Sequence, residues 1–61
     1  MTPVFAKALQ LFEGDAQAAQ EWLHTPAPAL AGELPIRVAE TDHGAREVEA
    51  LIERLEHGVL G

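Results

Sequence analysis

Apolar residues recur along the chain every three or four positions, a spacing that predicts a protein built from amphipathic helices. The first predicted helix spans about residues 3–13, with Thr2 as its N-cap and Pro3 in its first turn. Gly14 is expected to end it, because glycine readily adopts the left-handed conformation that closes many helices. The apolar stripe of this helix consists of Val4, Phe5, Ala8, Leu9, Leu11 and Phe12.

A second helix is predicted to begin after Asp15, whose carboxylate can accept a hydrogen bond from the amides of the next turn. It ends near His24 or Thr25, since Pro26 disfavours helical geometry in the residue before it. The expected inner face is formed by Ala18, Ala19, Trp22 and Leu23. The segment 25–29 has prolines at alternate positions, which favours a stiff spacer between helices; a ligand for a proline-binding groove is the weaker alternative.

The C-terminal half of the chain holds the longest amphipathic segment. A short helix at residues 34–39 precedes it and needs tertiary packing to persist. The last helix covers about residues 42–57 and is capped by Thr41 or Asp42. Gly58 stands where a helix-ending glycine is expected. The predicted inner face of this helix consists of Ala45, Val48, Leu51, Ile52, Leu55 and Val59.

Together these segments predict an all-α fold, a small compact bundle of three main helices plus one short helix. The chain has 61 residues, enough for a single domain over residues 1–61. A core of this size rarely supplies more than ~3–5 kcal/mol of net stability. There is no cysteine, so disulfides and thiolate metal sites are excluded. We therefore expect the chain to gain stability by binding a partner in its folded state.

The formal net charge is −6, and this limits the kinds of partner that the chain can bind. Direct binding of DNA or RNA is not expected, because it requires a clustered basic face. An anionic membrane surface would repel the chain, whereas a basic protein surface would attract it. A signal peptide and a transmembrane segment are both missing from the sequence, so a cytoplasmic location is predicted. The basic residues are Lys7, Arg37, Arg46 and Arg54.

Residues that could carry catalysis or hold a metal are scarce. The sequence contains no serine, cysteine, tyrosine or asparagine, so the usual nucleophile–histidine arrangements cannot form. Glu53 and His57 lie one helical turn apart, but two ligands make half a metal site at best. We prefer a solvent-facing histidine near a helix C-terminus. Accordingly we predict no enzyme activity, no catalytic residue, no metal and no cofactor.

The single tryptophan, Trp22, allows two interpretations. Tryptophan is a frequent anchor at protein–protein interfaces. It is also the largest side chain available to fill the centre of so small a protein, and we favour this core position.

Three short motifs occur in a characteristic order. They are Trp22-Leu23 with Pro26, Leu30 with Gly32 and Pro35, and Gly44-Ala45 with Val48. From about Ala6 to Val59 the chain resembles the toxin-binding domain of the Xre/MbcA/ParS-like antitoxins of type II toxin–antitoxin systems. The resemblance implies an all-helical domain that binds a RES-domain toxin, an enzyme that consumes NAD, within a possible higher-order toxin–antitoxin assembly.

The same resemblance implies that the antitoxin has no catalytic role and covers the toxin with its C-terminal helix and tail, at the entrance of the active site. The residues expected to face the toxin are Glu53, Glu56, His57, Gly58, Val59, Leu60 and Gly61. A pocket for an anionic dinucleotide should be positively charged, which suits an acidic inhibitor.

Antitoxins of this type usually carry an N-terminal helix-turn-helix domain that binds DNA, whereas this chain starts at Met1 directly before the toxin-binding region. We expect either a truncated antitoxin or a stand-alone short one, without DNA binding of its own. Two other hypotheses stay open. The chain could be a structural module that forms homo-oligomers through its last helix, or a fragment of a DNA-binding transcriptional regulator.

Overall fold

The computed structural model of the chain describes residues 3–58, so the predicted N-cap Thr2 and the inner-face residue Val59 lie outside the described residues. Over that range the protein is all-α, as predicted, and contains three longer helices and a short one. The connector between the second and third helices contains one turn of 3₁₀ helix, Pro28–Leu30. The α-helices are α1 (Val4–Leu11), α2 (Ala16–Leu23), α3 (Pro35–Val38) and α4 (Asp42–His57).

Helix α1 is shorter than predicted at both ends. Pro3 stands at the N-cap and not inside the first turn, because its carbonyl accepts the first helical hydrogen bond, from the Lys7 amide at 2.9 Å. At the other end Glu13 and Gly14 both take left-handed conformations, with φ of 57° and 89°. The Gly14 amide then donates to the Leu9 carbonyl at 2.8 Å and closes the helix. The predicted stop at Gly14 is therefore confirmed.

Helix α2 begins and ends with side chains that bond to its backbone. The Asp15 carboxylate accepts a hydrogen bond from the Ala18 amide at 3.1 Å, which confirms the predicted cap. At the C-terminal end, the Thr25 hydroxyl donates to the Glu21 carbonyl at 2.6 Å. The same carbonyl also accepts from the His24 amide at 3.2 Å, so Thr25 supplies a second donor to the end of the helix just before Pro26.

The proline-containing connector folds into a closed loop. The Ala27 amide donates to the Glu33 carbonyl at 3.1 Å, and the Gly32 amide donates back to the Ala27 carbonyl at 2.9 Å. The loop can turn this tightly because Ala31 and Gly32 both have left-handed backbones, with φ of 59° and 82°. The connector does separate α2 from α3, but it is a compact loop and not an extended spacer.

Helix α4 forms the centre of the bundle and packs against α1 and α3. Val48 and Ile52 on its inner face are completely buried. Burial of a side chain of this size stabilises the fold by about 1.5–3 kcal/mol. The prediction for Leu55 is wrong: its side chain is 41% exposed, because the core does not extend to the last turn of α4. The buried core cluster consists of Val4, Ala8, Ala19, Leu23, Ala45, Val48 and Ile52.

The junction between α3 and α4 requires a glycine. The Thr41 hydroxyl accepts a hydrogen bond from the Gly44 amide at 2.9 Å, so the predicted cap is Thr41. Gly44 itself is buried, and a Cβ atom at this position would overlap the carbonyl oxygen of Val38. The motif that begins with Gly44-Ala45 is therefore a packing motif, which lets α4 approach the end of α3.

Gly58 follows α4, as predicted, but it does not adopt the left-handed conformation. Its φ is −103°, and its amide donates to the Arg54 carbonyl at 2.6 Å, which continues the hydrogen-bond pattern of α4. The end of α4 therefore does not depend on a left-handed glycine, but a Cβ atom at Gly58 would overlap the Arg54 carbonyl oxygen, so the position favours glycine for steric reasons.

Candidate protein-binding surface

The residues predicted to face a partner lie at the C-terminal end of α4. Glu53, Glu56 and His57 are exposed, and Gly58 is half-buried. Because these positions belong to the last two turns of one helix and its first following residue, they share one end of the bundle. The predicted residues Val59, Leu60 and Gly61 lie outside the described residues.

Glu53 already has a partner within the domain. Its carboxylate accepts a hydrogen bond from the Lys7 ammonium of α1 at 3.0 Å. The hydrogen bond from Lys7 to Glu53, and then the charge of that carboxylate, raise the pKa of Lys7 above its ordinary value. Glu53 therefore links α4 to α1, and a partner that contacts it would meet an ion pair and not a free carboxylate.

An apolar groove lies beside this end of α4, and the sequence analysis did not predict it. The groove has a volume of about 180 Å³ and lies between the end of α2, the connector loop and α4. Leu55 forms one wall and the half-buried Trp22 contributes to the other. Trp22 therefore packs against the core but lies at its edge and reaches the surface, and not at the predicted centre of the protein. The groove is lined by Trp22, Thr25, Pro26, Ala27, Pro28, Ala29, Leu51 and Leu55.

A second, larger depression continues from the first along the connector side of α4. Its volume is about 480 Å³, and it shares Ala29 and Leu51 with the first groove. Its charged lining residues are two carboxylates, Glu33 and Glu47, and one guanidinium, Arg54. The two depressions together are called the connector groove here. One part of this surface is apolar and the other has an excess of negative charge.

Two kinds of site, a cluster of metal ligands and a membrane-spanning helix, are absent from the described part of the chain. Within residues 3–58 no group of three or more histidine, aspartate or glutamate residues is placed to hold a metal ion. No helix in the same range has the length and apolar character needed to cross a bilayer.

Fold and surface define a small all-α domain organised around one long amphipathic helix, with an apolar groove beside the C-terminal end of that helix. The chain belongs to the family described as the antitoxin Xre/MbcA/ParS C-terminal toxin-binding domain, whose profile matches residues 7–58. The resemblance expected from the three sequence motifs is thereby confirmed.

Two curated relatives are similar to this chain over 57 residues, or 93% of its length. One is the antitoxin Xre of Yersinia enterocolitica serotype O:8, which is 46% identical. The other is the antitoxin Xre of Photorhabdus laumondii subsp. laumondii, which is 37% identical. The chain spans 38% of the length of each of these relatives. No solved structure matches the chain.

Proposed function

We propose that this chain is an antitoxin domain that neutralises a RES-domain, NAD-consuming toxin by covering the entrance of its active site. The family description and the names of the two relatives support a toxin as the partner. The RES class of the toxin rests on the resemblance of the sequence motifs. In this proposal the domain works in the cytoplasm as the inhibitory protein of a type II system. It needs no cofactor and catalyses no reaction.

The observation that carries the proposal is the position of Leu55. A leucine that is 41% exposed stands on the connector groove, between the tryptophan side of that groove and the polar side chains of the last turn of α4. Protein interfaces typically combine a central apolar anchor with a polar rim. Leu55 and Trp22 supply such an anchor, and Glu56 and His57 supply the rim.

The net negative charge of the domain favours association with such a toxin. Glu56 is exposed next to Leu55, and the chain as a whole carries a net charge of −6. An enzyme that binds the phosphates of a dinucleotide needs positive charge around its pocket. Electrostatic attraction would therefore speed the encounter with the toxin, while the buried apolar contacts would slow dissociation.

Inhibition in this proposal is steric. The end of α4, followed by residues 58–61, would occupy the entrance through which the dinucleotide reaches the toxin. The Lys7–Glu53 pair would hold the penultimate turn of α4 against α1, so that the inhibitory end is presented by a rigid helix.

A neutralisation assay tests this proposal. A RES-domain toxin, sought in the reading frame next to that of this chain, is purified, and its consumption of NAD is followed as the antitoxin chain is added. We expect stoichiometric inhibition by the full chain. Deletion of residues 58–61 should weaken inhibition of the toxin while leaving the Tm of the antitoxin chain nearly unchanged. Full inhibition by the shortened chain would contradict blockade by the C-terminal end.

A pair of charge reversals at the two ends of α4 tests the electrostatic part. Glu56→Arg should slow association with the toxin, and the effect should diminish at high salt. Asp42→Arg, at the other end of the same helix, is the matched control; it loses only a helix-dipole interaction of about 0.3–1 kcal/mol. Equal association rates for both variants would count against attraction at the C-terminal end.

A further inference from the structure

The larger depression of the connector groove combines apolar walls with two carboxylates. The connector loop contributes Leu30 and Glu33 to it, and α4 contributes Glu47, Leu51 and Arg54. Arg54 follows Glu47 by about two helical turns, which places the two residues about 10 Å apart along the axis of α4. The guanidinium therefore leaves the Glu47 end of the depression with an excess of negative charge.

The two carboxylates keep most of their capacity to bind another molecule. Glu33 belongs to none of the ion pairs that form within residues 3–58. In the same range Glu47 pairs only with His43, whose Nε2 atom lies 3.6 Å from Glu47 Oε2 and whose side chain is 88% exposed. So exposed a contact contributes little stability, and an incoming cationic group can displace it.

We propose that the larger depression binds one long basic side chain, a lysine or an arginine, from the surface of the toxin. This proposal rests on the proposed function and names the group that the toxin inserts. The methylene groups of such a side chain would lie against Leu30 and Leu51, because lysine and arginine bury their stems on apolar surface. The charged end would then pair with Glu33 on the loop and with Glu47 on α4.

The chemistry of the depression selects a basic side chain over other occupants. An acidic side chain would meet two carboxylates on a chain whose net charge is −6. An apolar side chain would remove water from both carboxylates without supplying a hydrogen-bond donor, and burial of an unpaired charge is strongly unfavourable. A basic side chain supplies donors to the carboxylates of both walls and apolar contact between them.

This contact would give the domain selectivity among toxins. The adjoining apolar part of the groove, beside Trp22 and Leu55, can accept any apolar side chain of suitable size. A toxin with a neutral residue in place of the basic one would leave Glu33 and Glu47 unpaired in the complex and would lose affinity. The carboxylates would therefore decide which toxin is bound, whereas the apolar part contributes affinity for each of them.

Calorimetric titration of a purified RES-domain toxin with the full chain tests the proposal. Glu33→Gln and Glu47→Gln keep the size of each side chain and remove its charge, so each should raise the Kd by about 10-fold or more. Glu40→Gln, at an exposed carboxylate outside the connector groove, is the matched control and should change the Kd by less than about 2-fold. Circular dichroism checks that all three variants keep the fold of the original chain.

A second series of titrations identifies the basic side chain. The lysines and arginines on the toxin surface are replaced by alanine one at a time, and each toxin variant is titrated with the original chain and with the two glutamine variants of the groove. For one toxin variant, both Glu33→Gln and Glu47→Gln should change the Kd by less than about 2-fold, because the charge that they pair with is gone. A different toxin residue for each carboxylate, or no such residue, would overturn the proposal.

The outcomes separate this proposal from the proposed function. If the original chain binds the toxin and both glutamine variants of the groove bind it equally well, the basic side chain is wrong, while blockade of the active site is unaffected. If the original chain does not bind the toxin, the proposed function and this proposal are both wrong. A loss of affinity as large for Glu40→Gln as for the groove variants would indicate attraction by net charge alone and would overturn the assigned contact.

Discussion

The part of α4 up to Ile52 and the part that follows it have the same amphipathic pattern but different surroundings. In the first part, Val48 and Ile52 are completely buried, whereas Leu55 in the last turn is 41% exposed beside Trp22. The periodicity of a helix identifies its apolar face, but the rest of the chain decides how much of that face is covered. Here the other elements cover α4 up to about Ile52, and the last turn is left as a surface.

The largest expected effect is on stability, in the buried part of α4 that ends at Ile52. Ile52→Ala should lower the free energy of unfolding by about 3–4 kcal/mol, because the Ile52 side chain is completely buried and its removal leaves a cavity in the core. Since the whole domain has only ~3–5 kcal/mol to lose, the isolated variant should be largely unfolded. Leu55→Ala should cost less than about 1 kcal/mol, as expected for a surface position. Urea denaturation followed by circular dichroism measures both losses. Equal losses of unfolding free energy for the two variants would contradict the difference between the buried part of α4 and its exposed last turn.

The next effect is at the start of α4. Gly44→Ala should destabilise the domain by about 2–3 kcal/mol, because the added methyl group overlaps the Val38 carbonyl and pushes α4 away from α3. At an exposed position within a helix, the same substitution would stabilise by about 0.5–1 kcal/mol. The sign of the change in thermal unfolding therefore distinguishes a packing glycine from an unconstrained one.

A smaller effect is expected from the cap of α4. Thr41→Ala should cost about 1 kcal/mol, since the Gly44 amide loses its acceptor. Thr41→Asp keeps an acceptor at the same position and should retain most of the stability. Chemical denaturation of the pair checks this, and a Thr41→Asp variant as unstable as Thr41→Ala would argue against a capping role.

The smallest effect concerns the pair that joins α1 to the second half of α4. Lys7→Met should lower the Tm slightly at low salt and not at high salt, because the pair is exposed and screened. The pKa of Lys7 is raised, so the stabilisation by this pair is complete below the ordinary pKa of 10.5 and is lost as the pH rises through the raised value. A Tm difference between Lys7→Met and the original chain that persists at high salt would indicate a packing role for the lysine stem.

The sequence predicted those features that depend on near neighbours in the chain. The caps at Asp15 and Thr41, the stop at Gly14 and the four α-helices all follow from residues within one or two turns. The exposure of Leu55 and the role of Gly44 could not be predicted, because both depend on how far one helix lies from another. Closure of the connector loop depends on the left-handed backbone conformation of Ala31. Alanine rarely adopts this conformation, so the sequence does not predict it.

The candidate site was predicted in the same uneven way. The exposed end of α4 was expected from the resemblance, and Glu53, Glu56 and His57 do lie there on the surface. The connector groove was missed because its walls come from α2, the loop and α4, which are far apart in sequence. A usable signal was present: Trp22 lies in the last turn of α2, next to the proline-containing connector, a place that favours the edge of the core over its centre.

The central claim, that the second half of α4 and its groove form the toxin-binding surface, is tested most directly by calorimetric titration of the purified RES-domain toxin with two variants. Leu55→Glu and Phe5→Glu place the same charge at side chains of nearly equal exposure, one on the connector groove and the other on a groove between α1, α2 and α3. We predict that Leu55→Glu weakens toxin binding by about 30-fold or more, and that Phe5→Glu changes the affinity per site by less than about 3-fold. Unchanged binding by folded Leu55→Glu, together with loss of binding by Phe5→Glu, would contradict the account.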